Sequence, residues 1–385
     1  MTPDHQTSRA CPFEARAWVD EQLSAVSKAA LQVELPDGQA RLCFPSTDLR
    51  GQPAASELLL TGAPAGYVAF DHTNPRVRVR LVDDLGLPDA TERDRTLKRF
   101  PAWGDAADLL AMLDVRAANG GEYISVTRGN NQRGVVEASQ MLAQAIVAAG
   151  RHAPGRRAVH ASMIFMRAAS VTEPLRFQLK ELSGGKSFSS LSVSVLQGEK
   201  LCASGTLLLD VKAPDVMRHA ASAPSVAGPY ESAPYDMSVT GRDVRFVDNA
   251  YTGDPEAPVG PPHLDAWIRF RKLTDDPYLQ AALLVQFTGH ASIAASMRPH
   301  AGIGQSQAHR TLSTAINAIY VSLHADVQAD AWMLYRHLST FAGDGMTHSE
   351  CRVHNQRGDL LASFCVDAMV RRFATERAVN DRTSL

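Results

Sequence analysis

The chain has 385 residues, of which 45% are hydrophobic and 6% aromatic, and its 39 Lys and Arg residues stand against 41 Asp and Glu residues. At about 100–200 residues per domain, this length predicts two or three domains. A formal net charge of -2 gives no long-range attraction for phosphate backbones or anionic lipids, which argues against nucleic-acid binding. The hydrophobic content is sufficient for a buried core and argues against global disorder.

The first 104 residues predict an N-terminal extension whose role no motif indicates. Residues 14–31 have the pattern of a helix, and Arg76–Val82 alternates like a strand with one solvated face. The start of the chain lacks the apolar run of a signal peptide, so we expect a cytoplasmic protein.

Residues 105–212 predict one buried helix followed by an antiparallel meander. The segment Arg133–Gly150 is rich in alanine, has no proline and ends in a glycine that suits a helix C-terminus. The predicted strands after it, which alternate or are bounded by turn residues, are 159–168, 175–182, 189–197 and 201–211.

Residues 266–375 predict the same order a second time. A helix is expected over 281–297, where glutamine, threonine, histidine and serine interrupt an uncharged apolar run. These polar residues favour a buried helix over a membrane span. The predicted strands that follow the helix are 311–324, 331–341, 348–355 and 360–370.

The proline-rich segment 213–265 separates these two units and predicts a surface linker, because proline is excluded from helix interiors and central strands. Residues 376–385 are predicted to form a tail after the second unit. Two tandem units, each a helix against an antiparallel sheet, define an α+β fold that would pack as a pseudo-dimer.

The cysteines predict neither a disulfide framework nor a zinc site. Their number is odd, they are far apart, and they include no CxxC pair and no histidine cluster at zinc-ligand spacing. The five are Cys11, Cys43, Cys202, Cys351 and Cys365. A reducing compartment therefore fits this chain better than an oxidising one.

The ordered segments resemble a known family. LLAMLDV, VVEASQMLAQAIVAAG and GGKSFSSLSVSVLQGEKLCASGTLLL resemble the N-terminal half of acyl-CoA thioesterase II proteins. LLVQFTGHASIAASMRPHAGIG, WMLY and GDLLASFCVDAMVR resemble their C-terminal half, so the similarity covers about residues 105–373. The resemblance implies a double hotdog fold, in which each of two long helices is wrapped by an antiparallel sheet. It also implies hydrolysis of acyl-CoA thioesters, without a metal or redox cofactor.

The resemblance also shows departures from the family's catalytic set, which is an Asp, a Thr and a Gln from the C-terminal half. Matching the helix puts His290 where the Asp is expected. Matching the next strand puts Ile316 or Thr314 at the Thr, depending on a small gap. Matching the last strand puts Val366 at the Gln, with Asp367 beside it.

His290 is the foremost catalytic candidate. It is the one ionisable residue of the predicted second helix, and Gly289 before it would allow a ligand or backbone to approach closely. Histidine titrates near ~6.5, which suits a general base at neutral pH. The alternative is a buried histidine that is hydrogen-bonded to a backbone carbonyl.

Glu137 is the second candidate. Glu137, Gln140 and Gln144 share one face of the predicted first helix, which could present a carboxylate and an amide to an acyl pocket. The alternatives are a solvated stripe or a carboxylate that favours the helix N-terminus. The surrounding GVVEASQMLAQ also resembles the helix of hotdog dehydratases, which use a His with an acidic residue.

Thr314 and Asp367 are supporting candidates, because a Thr hydroxyl can orient water and an Asp can fix an imidazole tautomer. Each could equally be a surface strand residue. The helix N-termini could stabilise a developing oxyanion through their N–H groups, whatever their side chains.

Three functions follow from this sequence. The leading hypothesis is an acyl-CoA, or related acyl-pantetheine, thioesterase in which His290 activates water. The second is a hydratase or dehydratase that pairs His290 with Glu137 at the acyl α and β carbons. The third is an acyl-thioester binding protein without catalysis. No cofactor, metal, nucleic-acid partner or membrane span is expected. We do expect a homodimer.

Overall fold

The computed structural model describes residues 106–125, 134–171, 173–235, 242–270 and 274–373, together with the backbone of four strands before residue 105. The chain divides into two compact units. The smaller comprises residues 1–105 and 234–244, and the larger comprises residues 106–233 and 245–385.

The smaller unit contains a four-stranded antiparallel sheet in the order β3-β2-β1-β4. The strands are β1 (Ala30–Glu34), β2 (Ala40–Thr47), β3 (Pro53–Leu59) and β4 (Arg78–Val82). The strand predicted at Arg76–Val82 is confirmed as β4. The helix predicted over 14–31 lies outside the described residues except for its last two positions, which begin β1.

The larger unit is built on one antiparallel sheet, whose strand order runs β13-β15-β16-β17-β14-β7-β10-β9-β8-β6-β5. The strands of its first half are β5 (Val115–Ala117), β6 (Glu122–Ser125), β7 (Arg157–Phe165), β8 (Arg176–Gly184), β9 (Phe188–Gln197) and β10 (Lys200–Asp210). The strands of its second half are β13 (His263–Phe270), β14 (Leu312–Leu323), β15 (Met333–Gly343), β16 (Met346–Asn355) and β17 (Leu360–Arg372). All eight strands predicted in the two meanders are therefore confirmed.

The two halves meet where β7 pairs with β14, with Ile164 opposite Ala318 and His160 opposite Ser322. From this seam outward, the order β7-β10-β9-β8-β6 is repeated by β14-β17-β16-β15-β13. This repetition is the tandem α+β arrangement that the sequence predicted, with the four-stranded unit as the N-terminal extension.

The helices of the larger unit are α1 (Ala106–Leu113), α2 (Ala138–His152), α3 (Pro277–Gln286) and α4 (Ser292–Met297). Asp276 caps α3 by accepting hydrogen bonds from the N–H groups of Tyr278 and Leu279. Among the described residues, no helix is both long and apolar enough to cross a membrane.

Helices α2 and α3 pack against each other in opposite directions. The start of α2 meets the end of α3 through Glu137 and Gln286, and the end of α2 meets the start of α3 at Gly150 and Tyr278. Most residues of α2 are buried, which explains its alanine-rich sequence: small side chains let the helix lie close to both α3 and the sheet.

The second predicted helix is interrupted, which corrects the expectation of one helix over 281–297. Helix α3 ends at Gln286, a 3-10 turn covers Phe287–Gly289, and α4 begins at Ser292. Periodicity did not reveal the interruption because the residues of both helices and the turn between them are almost all buried. His290 thus lies between two helices and not within one.

The proline-rich segment 213–265 is not only a linker, because it contains β11 (Ala233–Pro234), β12 (Arg242–Phe246) and the first residues of β13. Its last prolines, Pro261 and Pro262, precede β13 and leave that strand intact. Strand β13 does not alternate in burial. Its Asp265 is buried and accepts two hydrogen bonds from Arg336 of β15, a contact that only the pairing of the strands creates.

Gly150 should be intolerant of a side chain. A Cβ at this position would lie 2.2 Å from Cδ1 of the Tyr278 ring. We expect Gly150→Ala to destabilise the protein by about 1–3 kcal/mol through overpacking, despite the higher helix propensity of alanine. Urea unfolding measures this change. Gly228→Ala is the control, because the nearest atom to its new Cβ is 3.8 Å away. Equal stabilities of the two variants would contradict the prediction.

Candidate active site

Side chains from both halves of the larger unit meet at the junction of α2 and α3. Glu137 Oε2 lies 3.5 Å from His290 Nε2 and accepts a hydrogen bond from Gln286 Nε2 at 3.0 Å. Gln286 Nε2 also lies 3.5 Å from His290 Nε2. The structure therefore brings together the two foremost sequence candidates, which are separated by 153 positions, and adds an amide that the sequence did not single out.

Glu137 occupies the N-cap position of α2 in an extended conformation, yet its side chain makes no capping hydrogen bond. A carboxylate at this position would ordinarily accept from the N–H groups of the first turn. Here it extends to Gln286 and His290 instead. The Glu137 side chain is 33% exposed and that of His290 is 16% exposed, so water can reach the pair.

A tight turn places His290. Ala291 has the left-handed φ of 65°, and the N–H of Ser292 donates to the carbonyl of His290 at 2.9 Å. This conformation is unfavourable for a residue with a Cβ and separates the 3-10 turn from α4. The His290 ring lies 4.9 Å from that of Phe287, which limits its movement.

Gly289 lets two side chains approach the turn closely. A Cβ here would lie 2.5 Å from Ser139 Oγ on α2 and 3.3 Å from Ile316 on β14. Ser139 is almost fully buried, and its hydroxyl has no hydrogen-bond partner among the described residues. Ser139, like Gln286, was not predicted from the sequence, since a serine or a glutamine in a helix carries no signal until its neighbours are known.

A buried histidine lies behind the turn. His337 of β15 is inaccessible to solvent, and its Nδ1 lies 3.0 Å from Ser292 Oγ. Burial, with a smaller contribution from the charge of nearby His290, lowers the pKa of His337 to about 3. His337 is therefore neutral at any pH at which the protein would work.

This burial predicts a loss of stability in acid. Because the pKa of His337 lies below that of an unfolded histidine, the unfolded state binds more protons between pH 3 and 6.5, and stability falls as the pH decreases through that range. Between pH 7 and pH 5, we expect the wild type to lose about 2 kcal/mol more than His337→Asn. Urea unfolding at both pH values measures this difference, and equal losses would show that His337 does not titrate on unfolding.

Two further predicted residues each contact a histidine other than His290. Thr314 is buried on β14, and its Oγ1 lies 3.3 Å from His309 Nε2. Asp367 lies 2.6 Å from Nδ1 of His348 on β16. The sequence prediction that Asp367 orients His290 is corrected by the strand alternation of β17, which buries Val366 and turns Asp367 to the opposite face of the sheet.

The stripe of glutamines after Glu137 is buried. Gln140 is 3% exposed and Gln144 is inaccessible, which excludes the solvated stripe considered from the sequence. Gln144 donates to the carbonyl of Met112 and so joins α2 to the end of α1. Gln140 lies one turn beyond Glu137 on the same helix and remains a predicted substrate contact.

Neither a reactive thiol nor a metal cluster is found in the described parts of the chain. Cys351 Sγ lies 3.6 Å from His337 Nδ1, but burial raises the pKa of the thiol far above its ordinary value, so no thiolate is available as a nucleophile. Across the described ranges, no three His, Cys, Asp or Glu side chains are grouped to hold a metal ion.

Comparison with protein families identifies the family to which the chain belongs. The acyl-CoA thioesterase N-terminal domain family matches residues 127–209, and the acyl-CoA thioesterase C-terminal domain family matches residues 210–365. The chain belongs to the acyl-CoA thioesterase family. The two matched domains correspond to the two halves of the sheet, so the resemblance seen in the sequence motifs is confirmed. A search of curated proteins finds no match.

Solved structures of similar fold include two mycobacterial thioesterases. A tesB protein of Mycobacterium avium subspecies paratuberculosis is 19% identical with a TM-score of 0.59, over 69% of this chain and 100% of its own. The acyl-CoA thioesterase II TesB2 of Mycobacterium marinum is 21% identical with a TM-score of 0.59, over 69% of this chain and 99% of its own. A thioesterase II described as putative, from Thermobifida fusca, is 17% identical with a TM-score of 0.57, over 69% of this chain and 97% of its own. These likenesses establish the double hotdog fold.

Proposed function

We propose that this acyl-CoA thioesterase family member hydrolyses acyl-CoA thioesters with His290 as general base and Glu137 as its carboxylate partner. The observation that carries the proposal is the contact of Glu137 Oε2 with His290 Nε2 at 3.5 Å, while Gln286 fixes the same oxygen at 3.0 Å. A catalytic hydrogen bond is often longer before substrate binds, so this separation suits a resting pair.

The proposed proton path follows from these contacts. In the tautomer with the proton on Nε2, His290 donates to Glu137, and Nδ1 is the nitrogen that takes a proton from water. The hydroxide oxygen attacks the thioester carbonyl carbon. Collapse of the tetrahedral intermediate breaks the C–S bond, and the departing CoA thiolate takes the proton from the imidazolium. One water is consumed, and a carboxylic acid and free CoA are released.

The N-terminus of α2 would hold the carbonyl oxygen. The first N–H groups of a helix have no acceptor within the helix, and the Glu137 side chain does not cap them. The buried hydroxyl of Ser139 lies in this first turn and has no hydrogen-bond partner in the part of the chain that the structure describes. Such donors favour the negative charge that develops on the oxygen in the transition state. Gln140 is proposed as a neighbouring substrate contact, and Gly289 as the residue that lets Ser139 lie close to the turn before His290.

The same contact supports a second function, a hydratase or dehydratase acting on acyl thioesters. Glu137 and His290 come from different halves of the chain, and they place a carboxylate and an imidazole side by side. One group would remove a proton at the α carbon while the other protonates the departing hydroxyl at the β carbon, or the reverse for hydration. The CoA thioester stays intact in this reaction.

Product identity distinguishes these functions. The purified full chain would be incubated with saturated, 2-enoyl and 3-hydroxyacyl-CoAs and the products followed by mass spectrometry. Free CoA above the level of a His290→Gln control supports the hydrolase. An acyl mass changed by one water with CoA attached replaces it with the lyase. Binding of acyl-CoA without any product would overturn both and leave a non-catalytic binding protein.

Substrate, cofactors and partners also belong to the proposed function. We propose acyl-CoA or an acyl-pantetheine thioester as the substrate, no metal or redox cofactor, and no nucleic-acid partner. A cytoplasmic homodimer in lipid metabolism remains a prediction. Thr314 and Asp367 have no step in this mechanism, because their described contacts are with other histidines.

A further inference from the structure

Helix α4 is joined to the sheet by two buried hydrogen bonds of the same kind. Ser292 Oγ lies 3.0 Å from His337 Nδ1, and one turn later Ser296 Oγ donates to Ser339 Oγ at 2.9 Å. Both sheet partners belong to β15 and are two positions apart. Ser292 and Ser296 are 2% and 3% exposed, so the two contacts are matched in burial, length and location.

The two serines differ in what precedes them. Ser292 is the first residue of α4, and its N–H closes the tight turn onto the carbonyl of His290. Ala291 between them holds the left-handed φ of 65°. A residue with a Cβ adopts this conformation at a free-energy cost, so it persists where the surroundings hold both ends of the turn. Ser296 lies a full turn further, and its hydroxyl contacts the backbone carbonyl of Ser292 at 3.1 Å but not the N–H that closes the turn.

The His337 ring is itself held in place. It stacks on Tyr335 with ring centroids 6.3 Å apart, and it meets the edge of Phe364 at 5.4 Å. The Tyr335 hydroxyl donates to the carbonyl of Leu284 in α3, and its ring lies 5.1 Å from Phe287. The imidazole that binds Ser292 is therefore fixed on the same aromatic cluster that packs beside His290.

We propose that Ser292 and His337 are positioning residues, which hold the turn at Ala291 so that the His290 imidazole faces Glu137. This inference rests on the proposed function for its kinetic consequence, since neither residue need touch substrate. Loss of the hydrogen bond would let the turn relax and move the imidazole from the carboxylate. A displacement near 1 Å at a reacting group lowers kcat more than it changes KM.

The test compares Ser292→Ala with Ser296→Ala in the full-length protein. Both variants lose the buried hydrogen bonding of one serine hydroxyl and should lower the melting temperature similarly. We expect Ser292→Ala to lower kcat for CoA release about tenfold with KM within twofold, and Ser296→Ala to leave both constants unchanged. Equal kinetic effects of the two variants, or an unchanged kcat in Ser292→Ala, would overturn the proposal.

Two substitutions of His337 complete the test. Asn keeps a polar atom on Cγ where Nδ1 lies, so His337→Asn should retain most of the activity, whereas His337→Leu should match Ser292→Ala. The double variant Ser292→Ala/His337→Leu should be no slower than either single variant, because the two substitutions remove the same hydrogen bond. Additive losses would show that the two residues act independently and would contradict the inference.

A second readout separates this inference from the proposed function. Imidazole NMR signals of His290, assigned by their absence in His290→Gln, report its surroundings without substrate. They should shift in Ser292→Ala and His337→Leu and stay in place in Ser296→Ala. If the wild type releases no CoA from any acyl-CoA, the proposed hydrolase fails while these shifts still decide the positioning role. Unmoved His290 signals in Ser292→Ala would refute that role.

Discussion

Replacing His290 with glutamine should lower kcat for CoA release by about 10³-fold and leave KM nearly unchanged. Glutamine keeps a polar side chain in the turn but has no nitrogen that exchanges a proton near neutral pH. We expect KM to change little because the proposed role of His290 is proton transfer, so that only the transition state loses its base. Steady-state kinetics on the preferred acyl-CoA measures both constants.

The chain provides its own control for this substitution. His348 is paired with Asp367 at 2.6 Å, a closer histidine–carboxylate contact than that of His290. Asp367 points to the face of β17 opposite the buried Val366. His348→Gln should therefore retain wild-type kcat. A His290→Gln enzyme with more than a third of the wild-type kcat would remove His290 from the mechanism, provided that its melting temperature shows a folded protein.

Replacing Glu137 with glutamine should lower kcat by about 10²-fold. The substitution preserves the shape of the side chain and removes the negative charge that stabilises the imidazolium. It also removes one acceptor from a position to which Gln286 Nε2 donates and from which His290 Nε2 lies 3.5 Å away. The expected loss is smaller than that for His290 because the imidazole can still take a proton from water. Asp367→Asn is the matched control and should have no effect on kcat.

Combining the substitutions tests whether the pair acts as one unit. In the hydrolase mechanism Glu137 acts through His290, so Glu137→Gln/His290→Gln should be no slower than His290→Gln alone. If the two losses multiply, Glu137 acts on the substrate directly, as the lyase mechanism requires. Glu137→Gln with more than a third of the wild-type kcat would exclude both roles.

Most of the helices and strands were predictable because they follow from local sequence patterns. Alternation predicted β8 and β9, and turn residues separated the strands of each meander. The order of these elements occurs twice, which was enough to predict tandem α+β units and to support the family resemblance. Strand β13 escaped prediction because its Asp265 and Arg269 are buried in a strand without alternation.

The candidate site was predictable in its two main residues and not in their surroundings. His290 stood out as the ionisable residue of an uncharged run, and Glu137 stood out through its helix position. Asp367 was assigned to the same site because it adjoins a matched position in sequence. Adjacent residues of a strand point to opposite faces of the sheet. Asp367 follows the matched position Val366 by one residue and therefore lies on the other face, where it contacts His348.

The sequence by itself determined most of the strands and the first long helix, the repetition of their order, and which residue types could act as base and acid. Only the tertiary structure decided that Glu137 meets His290, because this contact depends on the antiparallel packing of α2 against α3. It also decided that the second helix is interrupted. The turn at Ala291 is held by Ser292 and His337, a contact between residues 45 positions apart that no local pattern records.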